Sequence, residues 1–152
     1  MSFGFPCVRK SSSGGSSLEV IILKSEADMK NKLLSKLLKS DQLLFVEKYL
    51  PGIEVTVAIL QSQVLPVVEI IPASGWFDYQ SKYSPKTREI PYAPSVDPKI
   101  QKLTQKIALK IHQTLNLGPY SRIDFIVSDG KPYVLEVNTI PGFTASSLFP
   151  KA

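Results

Sequence analysis

Two short stretches carry the residues most able to do chemistry, Arg122-Ile123-Asp124 and Glu136-Val137-Asn138. Side chains two apart on a strand point to the same face, so each stretch offers one polar face and one apolar face. Ile123, Phe125 and Val127 mark the core side of the first, Leu135 and Val137 that of the second. Asp129-Gly130 between them has the composition of a hairpin turn. A two-residue loop sets Asp124 opposite Leu135 and mixes polar with apolar side chains on both faces. A three-residue loop, Asp129-Gly130-Lys131 with a glycine-type bulge, sets Asp124 opposite Glu136 and Arg122 opposite Asn138. The apolar pattern favours the longer loop, because a one-residue slip turns every side chain over.

That register brings two carboxylates within roughly 5 Å at their Cβ atoms, where like charges destabilise a strand pair. Aspartate, glutamate and asparagine offer hard oxygen ligands. These suit Mg²⁺ held partly by protein and partly by phosphates. Softer metals need cysteine or histidine clusters, and the chain has one of each. The plainer alternative is that Arg122 neutralises the carboxylates in an ordinary surface network. R-x-D facing E-x-N, with Pro141-Gly142 close behind, favours the metal site.

The elements that must position these residues follow from periodicity and punctuation. "LEVIILK" (18–24), "LLFVEKYL" (43–50), "IEVTVAIL" (53–60) and "VLPVVEII" (64–71) read as strands, the third with clean alternation. Residues 26–39 carry Met29, Leu33, Leu34, Leu37 and Leu38 at helical spacing. Asp97-Pro98 starts a second helix, with Ile100, Leu103, Ile107, Ile111 and Leu115 as its expected buried stripe and Gly118 as its stop. His112 is expected on the polar side of that helix, at the surface. Residues 10–17 form a glycine-serine loop, and 72–95 a long aromatic loop without a period, which argues for a functional role. Short links between neighbouring strands imply a mostly antiparallel α+β fold.

Length and composition agree. With 152 residues, 43% hydrophobic and 20% charged, the chain suits a single globular domain with a real core. No apolar run approaches a bilayer span, and "MSFGFPCVRK" has no hydrophobic block of the signal-peptide kind. A lone cysteine, Cys7, fits a reducing cytoplasm. The net charge of +5 is a weak signal, since many lysines alternate with leucines as on a solvated helix face. Nucleic-acid binding ranks last, because the aromatics gather in one loop rather than on a basic sheet face.

"RIDF…YVLEVNTIPGFTASSLFPK" closely resembles the C-terminal motif of D-alanine–D-alanine ligases, members of the ATP-grasp superfamily. "FPCVRKSSSGGSS" resembles the family's P-x-x-V-K-P-x-x-x-G-S-S segment. "LFVEKYLPGIEVTVAIL" resembles its E-K-x-L-x-G-x-E-x-T-V strand pair, and "FDYQSKY" its Y-D-Y-x-x-K-Y loop. The resemblance implies an incomplete ATP-grasp-like α+β domain with helices packed on one face of mostly antiparallel sheets. About 1–50 would be the remainder of the ATP-binding lid, and about 51–152 the catalytic and metal-binding part. It implies that Asp124, Glu136 and Asn138 hold two Mg²⁺ (or Mn²⁺) ions bridging the phosphates of ATP. Lys10 and Lys82 would contact those phosphates, and Glu47, Lys48, Leu50 and Glu54 would line the adenosine pocket. Ser16 and Tyr83 would belong to a hydrogen-bonded set that shuts the site. Arg122 and the backbone at Gly142 would stabilise an oxyanion, and Ser147 with Leu148 would hold the second amino acid's carboxylate.

The implied reaction ligates two D-alanines through an acylphosphate, for peptidoglycan precursor synthesis, without membrane or nucleic-acid partners. Only the C-terminal half of such a ligase is matched, so a missing N-terminal domain or a homodimer partner is expected to be needed for activity. Ending at "LFPKA", the chain is also expected to expose apolar surface. Three positions depart from the family pattern: Arg9 stands before Lys10, Ser11 replaces a proline and Glu19 a glycine. These departures support an alternative, a non-catalytic Mg-nucleotide-binding or interaction module derived from such a ligase.

Overall fold

The computed structural model describes residues 4–11, 20–29, 43–72, 87–144 and 147–152. Its strands form two antiparallel sheets. In the smaller, β1 (Cys7–Ser11) lies between β2 (Ile21–Leu23) and β3 (Leu44–Lys48). The larger contains β4 (Ile53–Leu60), β5 (Gln63–Ile71), β6 (Arg88–Pro91), β7 (Tyr120–Ser128) and β8 (Lys131–Asn138). Their order across it is β6-β5-β4-β7-β8. Three helices are described: α1 (Glu26–Met29), α2 (Pro98–Thr114) and α3 (Leu148–Lys151). None is long and apolar enough to cross a membrane.

Alternation on β4 divides the larger sheet into two faces. Val55, Val57 and Ile59 join Val67, Ile123, Phe125 and Ala108 of α2 in the main core. Burying each large aliphatic or aromatic side chain there contributes about 1.5–3 kcal/mol. The opposite face carries Thr56, Arg122 and Asp124 beside a smaller apolar cluster of Val68, Ile70 and Leu148. One sheet therefore separates a dry layer under α2 from a polar layer at one end of β7 and β8.

The termini of α2 follow their sequence signals. Asp97 caps it, its Oδ1 accepting from the Lys99 backbone N–H at 2.7 Å, with Pro98 in the first turn. The stripe differs from expectation. Leu103 and Leu115 are exposed, whereas Thr104, Ala108 and His112 are buried. Small and polar residues at 104 and 108 let the helix approach the sheet closely, and His112 then reaches inward. Its burial is compensated by Ser121 of β7, whose Oγ lies 2.8 Å from Nδ1. Gln105 adds a tie, donating to the Leu65 carbonyl at 2.9 Å.

The expected strand at 53–60 forms over those residues, and the expected strand at 64–71 begins one residue earlier. Their link is a two-residue turn with Gln61 and Ser62 both at positive φ. A register shift between β4 and β5 falls where β5 passes Leu65 and Pro66, which lets a proline without an N–H sit inside a sheet. The segment read as a structureless loop contains β6, an edge strand that ends on Pro91. Of the helix expected over 26–39 the described residues include α1. Positions 30–42 and 73–86 lie outside the description.

Candidate functional site

The polar face is built by three neighbouring strands. Asp124 of β7 is the Cα partner of Thr56 on β4 and of Glu136 on β8, while Arg122 faces Asn138. The expected cross-strand pairs are thus present, but the device that creates them differs. Asp129 and Gly130 both adopt positive φ and close a two-residue turn, with Ser128 opposite Lys131. The additional residue lies in mid-strand: Phe125 faces Val134, yet Asp124 faces Glu136. Leu135 is left over at this bulge, half-buried rather than on the core face. A bulge changes the facing of everything beyond it. Here it turns Val137 onto the core while Glu136 and Asn138 join Asp124.

Asp124 is buried and saturated with donors. Its Oδ1 accepts from Arg122 Nε at 2.9 Å and from Thr56 Oγ1 at 2.6 Å. Its Oδ2 accepts from Arg122 Nη2 at 2.8 Å and from Asn138 Nδ2 at 3.0 Å. Asn138 Nδ2 also donates to Glu136 Oε1 at 3.2 Å, so one amide spans both carboxylates. Arg122 Nη2 stands 3.9 Å from Glu136 Oε1.

The charges polarise the pair. Burial works to raise the Asp124 pKa. Hydrogen bonds and charge from Arg122, aided by Thr56, outweigh it and hold this carboxyl below its ordinary range. Glu136 moves the other way, raised by its own burial and then by the negative charge and hydrogen bonding of Asp124. Burial works to lower the Arg122 pKa, but Asp124, Glu136 and Glu89 together raise it.

Among the described residues no three His, Cys, Asp or Glu converge, so any cation would rest on two carboxylates and an amide. That donor set is all hard oxygen once Asn138 presents its carbonyl, and it fits Mg²⁺ or Mn²⁺ shared with phosphates. The fit has a second support. Glu136 pays electrostatically for standing beside Asp124, and a divalent cation relieves that repulsion.

The remaining expected residues are spread over both sheets. Lys10 Nζ forms an ion pair with Glu47 at 2.5 Å, across β1 and β3. Lys48 alternates to the other face of β3 from Glu47, and Leu50 and Glu54 are half-buried around the link into β4. The loop after β8 is anchored by three rings, Phe143 lying 5.1 Å from Tyr120 and 4.7 Å from Phe149 between centroids. A Cβ on Gly142 would stand 2.8 Å from Ser147 Oγ, so a larger residue here would displace that hydroxyl. Ser147 Oγ accepts from the Thr144 backbone N–H at 3.1 Å, and the Leu148 side chain is buried in the cluster with Val68 and Ile70. Lys151 of α3 pairs with Glu89 of β6. Ser16, Glu19, Lys82 and Tyr83 lie outside the described residues. Thr56 and Glu89 were missed by the site reading of the sequence. The T-V of the strand-pair motif pointed at Thr56, whereas nothing local marked Glu89.

The antiparallel sheet lifts a carboxylate pair, an arginine and an amide to one face, and solved structures identify the fold that carries it as ATP-grasp. The D-alanine–D-alanine ligase of Bacillus anthracis complexed with ATP superposes with a TM-score of 0.76 at 33% identity, over 97% of this chain and 46% of that one. The VanG D-Ala:D-Ser ligase of Enterococcus faecalis superposes with a TM-score of 0.79 at 30% identity, over 96% and 43%. The family model for the D-ala D-ala ligase C-terminus matches residues 1–152, and the chain belongs to that family. The D-alanine–D-alanine ligase of Aquifex aeolicus is 44% identical over 149 residues, 97% of this chain and 50% of that protein. The chain spans about half the length of the curated relatives it matches.

Proposed function

We propose that this chain supplies the catalytic sheet of an ATP-dependent carboxylate–amine ligase that joins two D-alanines. The observation that carries the reading is the convergence of Arg122, Asp124, Glu136 and Asn138 on one face, in a chain of the ligase family. In the proposed reaction the γ-phosphoryl group of ATP passes to the carboxylate of the first D-alanine, leaving ADP. The amine of the second attacks the acyl carbon, loses a proton and expels phosphate. Bound divalent ions would neutralise the phosphates during transfer. Asp124, Glu136 and Asn138 would hold them.

Arg122 supplies fixed positive charge where the tetrahedral intermediate develops its oxyanion, and the uncluttered backbone at Gly142 adds an N–H. Lys10 would leave Glu47 to meet phosphate, freeing that carboxylate for the adenosine side. Ser147 and the Leu148 backbone would receive the second carboxylate, and Lys82, Ser16 and Tyr83 would close over the site. The product would serve cytoplasmic peptidoglycan precursor synthesis.

The half-length match supports a need for a further domain or a homodimer partner, so the isolated chain is expected to show little turnover. The test joins this chain to the N-terminal half of the Aquifex aeolicus relative and follows phosphate release and dipeptide by mass spectrometry. D-alanine-dependent phosphate with D-alanyl-D-alanine is expected. A folded fusion that binds ATP with Mg²⁺ yet forms no dipeptide would favour the second reading, a non-catalytic nucleotide-binding module. The buried guanidinium of Arg9 in the expected lid, without a hydrogen-bond partner among the described residues, is the observation on its side.

A further inference from the structure

We infer that Thr56 is a positioning residue for Asp124, fixing that carboxylate so that its Oδ2 faces Glu136 and Asn138 for cation binding. The inference rests on the proposed metal site and extends it to a third strand. Thr56 lies on β4, on the side of β7 away from β8, and is 1% exposed. Its Cα partners are Asp124 on one side and the fully buried Val68 on the other.

Valine has the shape of threonine and suits a strand between apolar neighbours at least as well. A buried hydroxyl at this position costs free energy unless it makes a hydrogen bond. Two acceptors are within reach, the Ile123 carbonyl at 3.3 Å and Asp124 Oδ1 at 2.6 Å. One hydroxyl carries one proton, and the shorter, charge-assisted contact takes it.

The consequence is an asymmetric carboxylate. Oδ1 is held from behind by Thr56 and by Arg122 Nε, so the plane of the group cannot turn. Oδ2 accepts from Arg122 Nη2 and from Asn138 Nδ2, the same atom that reaches Glu136 Oε1. With Oδ1 tied to Thr56, the Asp124 oxygen turned toward the β8 side chains Glu136 and Asn138 is Oδ2, which a cation would share once the Asn138 amide turns its oxygen inward. Among the described residues Thr56 is the one hydroxyl that donates to Asp124, and it comes from outside the R-x-D and E-x-N stretches. Partners of this kind behind a metal ligand typically alter metal affinity 10–100-fold when removed.

The experiment is a Mn²⁺ titration of the 152-residue chain with ATP present, followed by electron paramagnetic resonance, with melting temperatures recorded alongside. Thr56→Val is expected to bind Mn²⁺ about 10–100-fold more weakly, and Thr56→Ser to stay close to the unaltered chain. Should the valine variant fail to fold, the Thr56→Ser and Thr56→Ala pair, which differ only in the hydroxyl, repeats the comparison. Equal Mn²⁺ affinity in folded variants with and without the hydroxyl overturns the inference, whatever their melting temperatures. No Mn²⁺ binding by the unaltered chain overturns the metal-site reading itself, and this inference with it.

Discussion

Arg122 grips Asp124 through two parallel hydrogen bonds, Nε to Oδ1 at 2.9 Å and Nη2 to Oδ2 at 2.8 Å, both side chains being about nine-tenths buried. The fork gives the two carboxylates different characters. Asp124 is locked with its carboxyl held below the ordinary range, while Glu136, 59% exposed at its side chain, has its carboxyl raised by burial and by Asp124. A ligand entering this site meets one fixed ligand and one adjustable one.

Removing the arginine should therefore unfold the site from within. Arg122→Met strands a buried aspartate and is expected to cost about 3–5 kcal/mol, read from the urea midpoint. Arg122→Lys keeps the charge but not the fork, so it should recover only part of the loss. A methionine variant within about 1 kcal/mol of the unaltered chain would show that Asp124 is not held by this pair.

Glu136 controls the pH response. Its folded pKa is raised, so its favourable contribution is present below the unfolded carboxylate range and is lost as pH rises through the raised value. Glu136→Gln should accordingly stabilise the metal-free chain at neutral pH, with the difference vanishing in acid. Solvent screens this exposed group, so the gain is expected below about 1 kcal/mol. Mg²⁺ competes with the same proton, so the Mg²⁺-dependent rise in melting temperature should fade on acidification before Asp124 begins to titrate. Persistence of that rise in the glutamine variant would remove Glu136 from the cation site.

Much of this arrangement was legible in the sequence, and the failures have physical causes. Alternation over 53–60 and the R-x-D and E-x-N spacing identified the faces, because a period of two is set by the backbone itself. The location of the bulge was not legible. The apolar pattern demanded one additional residue between Asp124 and Glu136, but Asp129-Gly130 and Leu135 satisfy that parity equally, and the turn residues prefer the two-residue form. The α2 stripe was misplaced because Leu103 and Leu115 outrank Thr104 and His112 in hydrophobicity, whereas close packing rewards small residues and satisfied polar ones. Thr104 returns its hydroxyl to the Ile100 carbonyl at 2.8 Å and needs no partner outside its own helix.

His112 and Ser121 provide a test of that last point. Both are buried, and their 2.8 Å contact ties the last turn of α2 to β7, one residue from Arg122. Ser121→Ala removes one partner and leaves an imidazole nitrogen buried without a hydrogen bond, at an expected cost of about 1–3 kcal/mol. Denaturant unfolding reads it directly. A neutral result would mean that His112 is hydrated and the helix looser than described.

Arg9 offers the opposite case, a residue whose removal should help. It is 3% exposed on β1, between Ile21 and Val46, and its Nε, Nη1 and Nη2 have no hydrogen-bond partner among the described residues. The strand nevertheless forms, and Lys10 keeps its place on the other face beside Glu47, so arginine neither breaks β1 nor redirects the lysine. What it does is bury a guanidinium that no described residue hydrogen-bonds, which is costly. Arg9→Val should raise stability by roughly 1–4 kcal/mol, the range seen when buried charges give way to packed apolar side chains. Melting of the two chains side by side decides it. A lower melting temperature for the valine variant would mean that the guanidinium has a stabilising anionic partner in solution.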